Sequence, residues 1–199
     1  MAQRPLQDAP EVAVENRGAL RGWLEENHQT ASGVWIVAFK KADPRYLPLT
    51  EVVDEALCFG WVDSLPRAKD ELRTMLYLSP RKPRSNWSRV NKDKVARLVA
   101  ESRMTPAGQA AIERAKTDGS WTALDDVENL VIPADLQTAF DKVPGTQENW
   151  EAFPRSVKRG ALEILLNAKR ATTRAAKIET IVSASAENIR PFQWKGRKS

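Results

Sequence analysis

"WVDSLPRAKDELRTMLYLS", Trp61 to Ser79, is the stretch whose reading decides the fold. Trp61 to Leu65 alternates in polarity. Ala68 to Glu71 is turn-like, and Leu72 to Ser79 sets Leu72, Thr74 and Leu76 against Met75 and Tyr77. Two period-2 runs around a turn read as an antiparallel hairpin. A bare hairpin is marginal in water, so another strand must join it. "GVWIVAF", Gly33 to Phe39, is apolar and β-rich enough to be that buried strand.

Outward from the sheet the pattern turns helical. Glu15 to His28 puts Leu20, Trp23 and Leu24 on one face, with Asn16 as N-cap. Thr50 caps "TEVVDEALCFG", which Gly60 closes. Asn91 to Met104 carries Val95, Leu98 and Val99, and Thr105 with Pro106 opens a helix that stops at Gly119. Short helices follow at "ADLQTAFDKV" and "TQENWEAF". Two longer ones follow those: one from Ser156 with Leu162, Leu165 and Leu166 inward, one from Thr172 or Thr173 with Ile178, Ile181 and Val182 inward. The expected fold is α+β, a small antiparallel three-stranded sheet with packed helices followed by a C-terminal helical bundle. Its expected divisions are a flexible tail over 1–14, an α+β domain over 15–122, a helical domain over 123–187 and a basic tail over 188–199, where Trp194 is free to pack.

A chain of 199 residues, 42% hydrophobic and 29% charged, is an ordinary globular composition. The net charge of +5 permits an anionic partner without demanding one. One cysteine, Cys58, rules out an internal disulfide and fits a reducing compartment. One histidine beside it is too few for a His/Cys zinc site, so no metal and no cofactor are expected. The N-terminus lacks the apolar segment of a secretory signal, and no run reaches membrane-span length. The expectation is a cytoplasmic protein without membrane insertion, of unspecified oligomeric state. Charge is segregated: acids dominate Glu113 to Glu151, bases dominate Arg81 to Arg103 and Arg155 to Lys177. Either these segments neutralise each other inside the fold or the basic ones meet an outside anion.

Several chemistries are absent. No glycine-rich phosphate loop and no G-x-S-x-G elbow occurs. His28 sits at a helix end and Cys58 on an apolar face, so neither reads as catalytic. Asp63 and Ser64 end a strand in front of a cationic loop. Asp63 is there either as a ligand contact or general base, or as an ion-pair partner of Arg81 or Arg84.

That loop is "SPRKPRSNWSRVNKDK", Ser79 to Lys94. Pro80 and Pro83 keep it extended, and Ser85 or Ser88 caps the helix that follows. A helix N-terminus and the forks of Arg81 and Arg84 suit an oxyanion, while Trp87 offers a flat face or a core anchor. These readings nominate Asp63, Ser64, Arg81, Arg84, Ser85, Trp87, Ser88 and Asn91 as a ligand site.

"EALCFGWVDS", "LSPRKPRSNWSRVNKDKVARLVAESRMTPAGQAAIERAKTDGSW" and "SVKRGALEILLNAKRATTRAAKIETIV" together resemble the YdeI/OmpD-associated family, also labelled bacteriocin-protection proteins. The resemblance runs from about Asn16 to about Ser185 and adds Trp61 to the motif positions. It departs at Ser102, where the family pattern has glycine. It implies a bacterial protein with a role in tolerance to bacteriocins or antimicrobial peptides, and it assigns no catalytic residue. The resulting expectation is a binding protein for an anionic small molecule or a protein partner. The alternatives are a nucleic-acid binder acting through its basic helices, although no nucleic-acid motif is present, and an enzyme using Asp63 on an anionic substrate.

Overall fold

The computed structural model describes residues 8–192. Residues 193–199, with Trp194, lie outside the described residues, as do residues 1–7 of the expected tail. The chain divides into two compact units between Thr122 and Ala123.

The first unit holds strands β1 (Glu11–Val14), β2 (Val34–Phe39), β3 (Trp61–Ala68) and β4 (Arg73–Pro80), and helices α1 (Arg17–Asn27), α2 (Leu49–Cys58), α3 (Arg89–Ala100) and α4 (Pro106–Thr117). The sheet order is β1-β2-β4-β3, with β2-β4 and β4-β3 antiparallel and β1 parallel to β2. The expectation of three antiparallel strands is thus corrected to four in a mixed sheet. Glu11–Val14, read as tail, pairs in register with Trp35 to Ala38, and the Trp35 N–H reaches the Pro10 carbonyl at 2.8 Å. Four residues carry too little periodicity to announce a strand without the partner that orders them.

The inner sheet face consists of Val14, Val34, Ile36, Ala38, Leu76 and Leu78. Against it pack Leu20 and Leu24 of α1 and Val52, Ala56 and Leu57 of α2. β2 is buried along its whole length, which explains its unbroken apolar run. On its other face Arg67 lies 4.8 Å over the Trp35 ring and Arg45 lies 3.7 Å over Phe39, so long cationic side chains take the place of a second helical layer. The register of β3 on β4 shifts between Asp63 and Pro66, and Ser64 to Ala68 are exposed.

Local signals explain three helix starts in this unit. Asn16 accepts from the Ala19 N–H, Ser88 from Asn91 and Thr105 from Gly108. At α2 the expected cap Thr50 lies inside the first turn. Pro48, with φ −58°, starts the helix with no side-chain cap. Two acids on α2 are buried and neutralised: Asp54 pairs with Lys94 at 2.7 Å and with Arg97, Glu55 with Arg21 at 3.0 Å and with Arg103.

The second unit is helical: α5 (Asp125–Glu128), α6 (Ala134–Phe140), α7 (Thr146–Ala152), α8 (Arg155–Leu166) and α9 (Ala171–Ala186). Its core gathers Leu124, Val127, Leu136, Phe140, Trp150, Phe153, Leu162, Leu165 and Ile181. Acids of the 125–135 connector pair inside this unit, Glu128 with Arg159 at 2.9 Å and with Arg155 at 3.8 Å, Asp135 with Arg174. Here the segregated charges neutralise each other.

Candidate functional site

Gly60 turns the chain from α2 into β3 at φ +73°, and a Cβ there would come within 2.9 Å of Ala111 on α4. The Gly60 carbonyl accepts from the Arg81 N–H at 3.0 Å, so Arg81 leaves β4 beside the first residues of β3. The loop 81–87 then crosses to α3 and is fastened to the turn after α4. The Arg84 N–H donates to Asp118 Oδ2 at 2.9 Å and the Trp87 N–H to the Ser120 carbonyl at 3.2 Å. Arg84 takes a left-handed φ of 59° to make that turn, a conformation that strains an arginine.

Arg81 is the centre of the arrangement. It is 6% exposed, and its guanidinium stacks 3.8 Å over the Trp87 ring. Nη1 donates to the Asn86 carbonyl at 3.0 Å and to Ser85 Oγ at 3.3 Å. Nε is buried without a partner, and among the described residues no carboxylate forms an ion pair with this side chain. Burial pulls its pKa down to about 10, against the opposing pull of the Asp63 charge. Trp87 is 1% exposed, meets Trp121 with ring centroids 5.0 Å apart, and its indole N–H is also buried without a partner. Two donors without acceptors in one place are unusual, because buried polar groups are nearly always satisfied.

Both residues line one narrow crevice. Arg81, Arg84 and Trp87 form the loop wall; Arg114, Ala115 and Asp118 form the α4 wall. It is too tight to seat a water molecule. Asp118 is held below the ordinary carboxylate range by hydrogen bonds, first from Ser120 and then from the Arg84 N–H.

The nominated residues therefore separate. Arg81, Arg84 and Trp87 share the crevice, Ser85 touches Arg81, and half-buried Asp63 acts on Arg81 through its charge. Ser88 caps α3 through the Asn91 N–H, and Ser64 is exposed on β3. Trp61 is core, edge-on to Trp23 with its indole N–H on the His28 carbonyl at 3.2 Å. Arg114 and Asp118 were not anticipated. They lie some thirty residues downstream, and "TDGS" reads locally as nothing more than a helix stop.

Outside the crevice, burial and then the Glu55 charge raise the Cys58 thiol to about 11, which keeps it protonated. His28 Nδ1 is bonded to the Leu24 carbonyl at 2.8 Å, a helix-end contact.

Comparison with known proteins divides the chain in two. Residues 12–111 match a domain of unknown function (DUF8412), and residues 129–188 match the family described as bacteriocin-protection, YdeI or OmpD-associated. No curated protein and no solved structure matches. The motif block around Phe59–Ser64 and Pro80–Asn91 thus lies in the first match, and the C-terminal helices carry the second. Residues 129–188 match the bacteriocin-protection, YdeI or OmpD-associated family model over a smaller part, and through residues 12–111, about half its length, the chain belongs to the DUF8412 family.

Proposed function

We propose that this protein is a binding protein whose first unit holds an anionic ligand against Arg81, and that this binding underlies the tolerance role that the description of its C-terminal family names. One observation carries the reading. Arg81 is a buried cation with an unused donor and, among the described residues, no carboxylate in an ion pair with it, beside an indole N–H that is also unused. A buried charge left this way costs stability, and an anion supplies what is missing. Asp63 sits close enough to bias Arg81 and serves in this reading as a positioning charge. A reducing cytoplasm suits the single cysteine, which is buried and free.

The nucleic-acid alternative has less behind it. Lys94 and Arg97 on α3 are engaged by Asp54, and Arg155 and Arg159 on α8 by Glu128. Nucleic-acid binding through these helices would require breaking buried or half-buried ion pairs.

The test is a titration of the full chain with a panel of carboxylates, phosphates and sulfate at low ionic strength. The indole N–H resonance of Trp87, assigned through Trp87→Phe, is followed by NMR. A saturable shift with at least one anion is expected. No response to any member of the panel sinks the proposal.

A further inference from the structure

The crevice has a charge balance and a donor inventory that narrow the ligand. Among the described residues the side chains of Arg84 and Arg114 form no hydrogen bond or ion pair, yet they flank the same narrow opening as buried Arg81. Arginines normally find a carboxylate, and three brought together without an ion pair among the described residues are held by the fold in spite of their repulsion. Among the described residues the one acid in the lining is Asp118, and both its oxygens are occupied, Oδ2 by the Arg84 N–H and Oδ1 by the Ser120 N–H. Lys82 also lines the crevice but has an interaction of its own, so three guanidinium charges set against one carboxylate leave two positive charges for a ligand to meet. The unused groups are all donors: Arg81 Nε, the Trp87 indole N–H and two guanidinium forks. A dianion with acceptors on every face balances that set; a monocarboxylate leaves a positive charge and several donors unmet.

Resting on the anion-binding reading above, we infer that the crevice between the 81–87 loop and α4 takes a dianionic phosphoryl group, and that Asp118 is its internal competitor. Asp118 occupies the Arg84 N–H, where a phosphoryl oxygen would otherwise bond, and it repels a dianion. The closed crevice is therefore the unliganded arrangement. Ligand entry replaces the Asp118–Arg84 bond and lets Arg84 leave its left-handed conformation. Arg114, on the rigid α4 wall, meets the phosphoryl group from the opposite side.

The experiment is isothermal titration of the full chain in low-salt buffer with inorganic phosphate, phenyl phosphate and benzoate, together with the Trp87 indole resonance. Arg84→Gln, Arg114→Gln and Asp118→Asn are compared with the parent. All three positions are exposed, and asparagine keeps an oxygen for the Arg84 N–H. Phosphate and phenyl phosphate should bind and benzoate should not. Each arginine variant should weaken binding about tenfold, the value of one charge-assisted contact, while Asp118→Asn should tighten it. Equal affinity for the two phosphates marks free phosphate as the ligand; tighter phenyl phosphate marks a phosphorylated small molecule. Binding of benzoate without the phosphates overturns the phosphoryl assignment but leaves the anion-binding reading intact, whereas silence from all three overturns both. Phosphate binding that ignores all three substitutions, or that weakens in Asp118→Asn, overturns the crevice as its place.

Discussion

Replacing Arg81 with methionine separates a structural arginine from one that waits for a ligand. Met matches the length of the stem and removes the charge. Burial brings the Arg81 cation down to about 10, and a displacement of that size opposes folding by about 3 kcal/mol. The guanidinium is charged in both folded and unfolded chains below pH 10, so the whole loss is present at neutral pH and is relieved only as the pH climbs past 10. In the other direction the side chain contributes a charge-assisted bond to the Asn86 carbonyl at 3.0 Å, worth about 2 kcal/mol. Its stacking over Trp87 adds about 1 kcal/mol. The opposing effects nearly cancel, and Arg81→Met should change stability by less than about 1 kcal/mol. Arg103→Met supplies the contrast. Arg103 is bonded to the carboxylate of Glu55, which is 1% exposed and keeps Arg21 when Arg103 is lost, so the variant forfeits a charge-assisted bond worth about 2 kcal/mol with little to offset it. Native-state hydrogen exchange on the β2 and β4 amides reads both variants in the full chain, unit by unit. If Arg81→Met loses as much as Arg103→Met, Arg81 is a structural strut and the reasoning that leads to a ligand anion is wrong.

Gly108→Ala places a Cβ 2.2 Å from the Cys58 carbonyl oxygen, which already accepts from Thr105, so α4 must withdraw from the end of α2. A loss of about 3 kcal/mol should appear as a lowered melting midpoint, and an unchanged midpoint refutes the packing argument. Burial raises the Asp54 carboxyl, but bonds from Lys94 and Arg97 outweigh it and hold the group below its ordinary value of 3.8. Its stabilisation is complete above that value and is lost as the pH falls below it, so Asp54→Asn should flatten the acid limb of the stability profile. Cys58, with a thiol pushed up to about 11, should react with a thiol reagent at neutral pH only after denaturation; prompt labelling of the native chain contradicts its burial.

The sequence announced what depends on neighbours along the chain. Asn16, Ser88 and Thr105 cap helices because a hydroxyl or amide three residues before a free N–H is a local event. The hairpin of β3 and β4 was legible from its alternation, and β2 from its apolar run. β1 was not, because four residues become a strand only once β2 is there to pair with them. Thr50 misled because Pro48 presets the helical φ two residues earlier. The site divides along the same line. Arg81 and Trp87 stood out by composition, but that they stack on each other, and that Nε and the indole N–H stay unused, are facts of tertiary geometry. Arg114 and Asp118 reach the crevice only through the packing of α4, which no local pattern encodes.

The shifted register on β3 bears on how this unit meets other molecules. β3 is an outer strand of the sheet, and Ser64 to Ala68 lie open to solvent. A regular outer strand is a template on which foreign chains can lengthen the sheet. The irregularity between Asp63 and Pro66 breaks the even spacing such a chain would need, and Pro66 has no N–H to offer it. That border is closed to fibril-like growth, so a partner arriving there must be recognised by side chains instead of by backbone pairing.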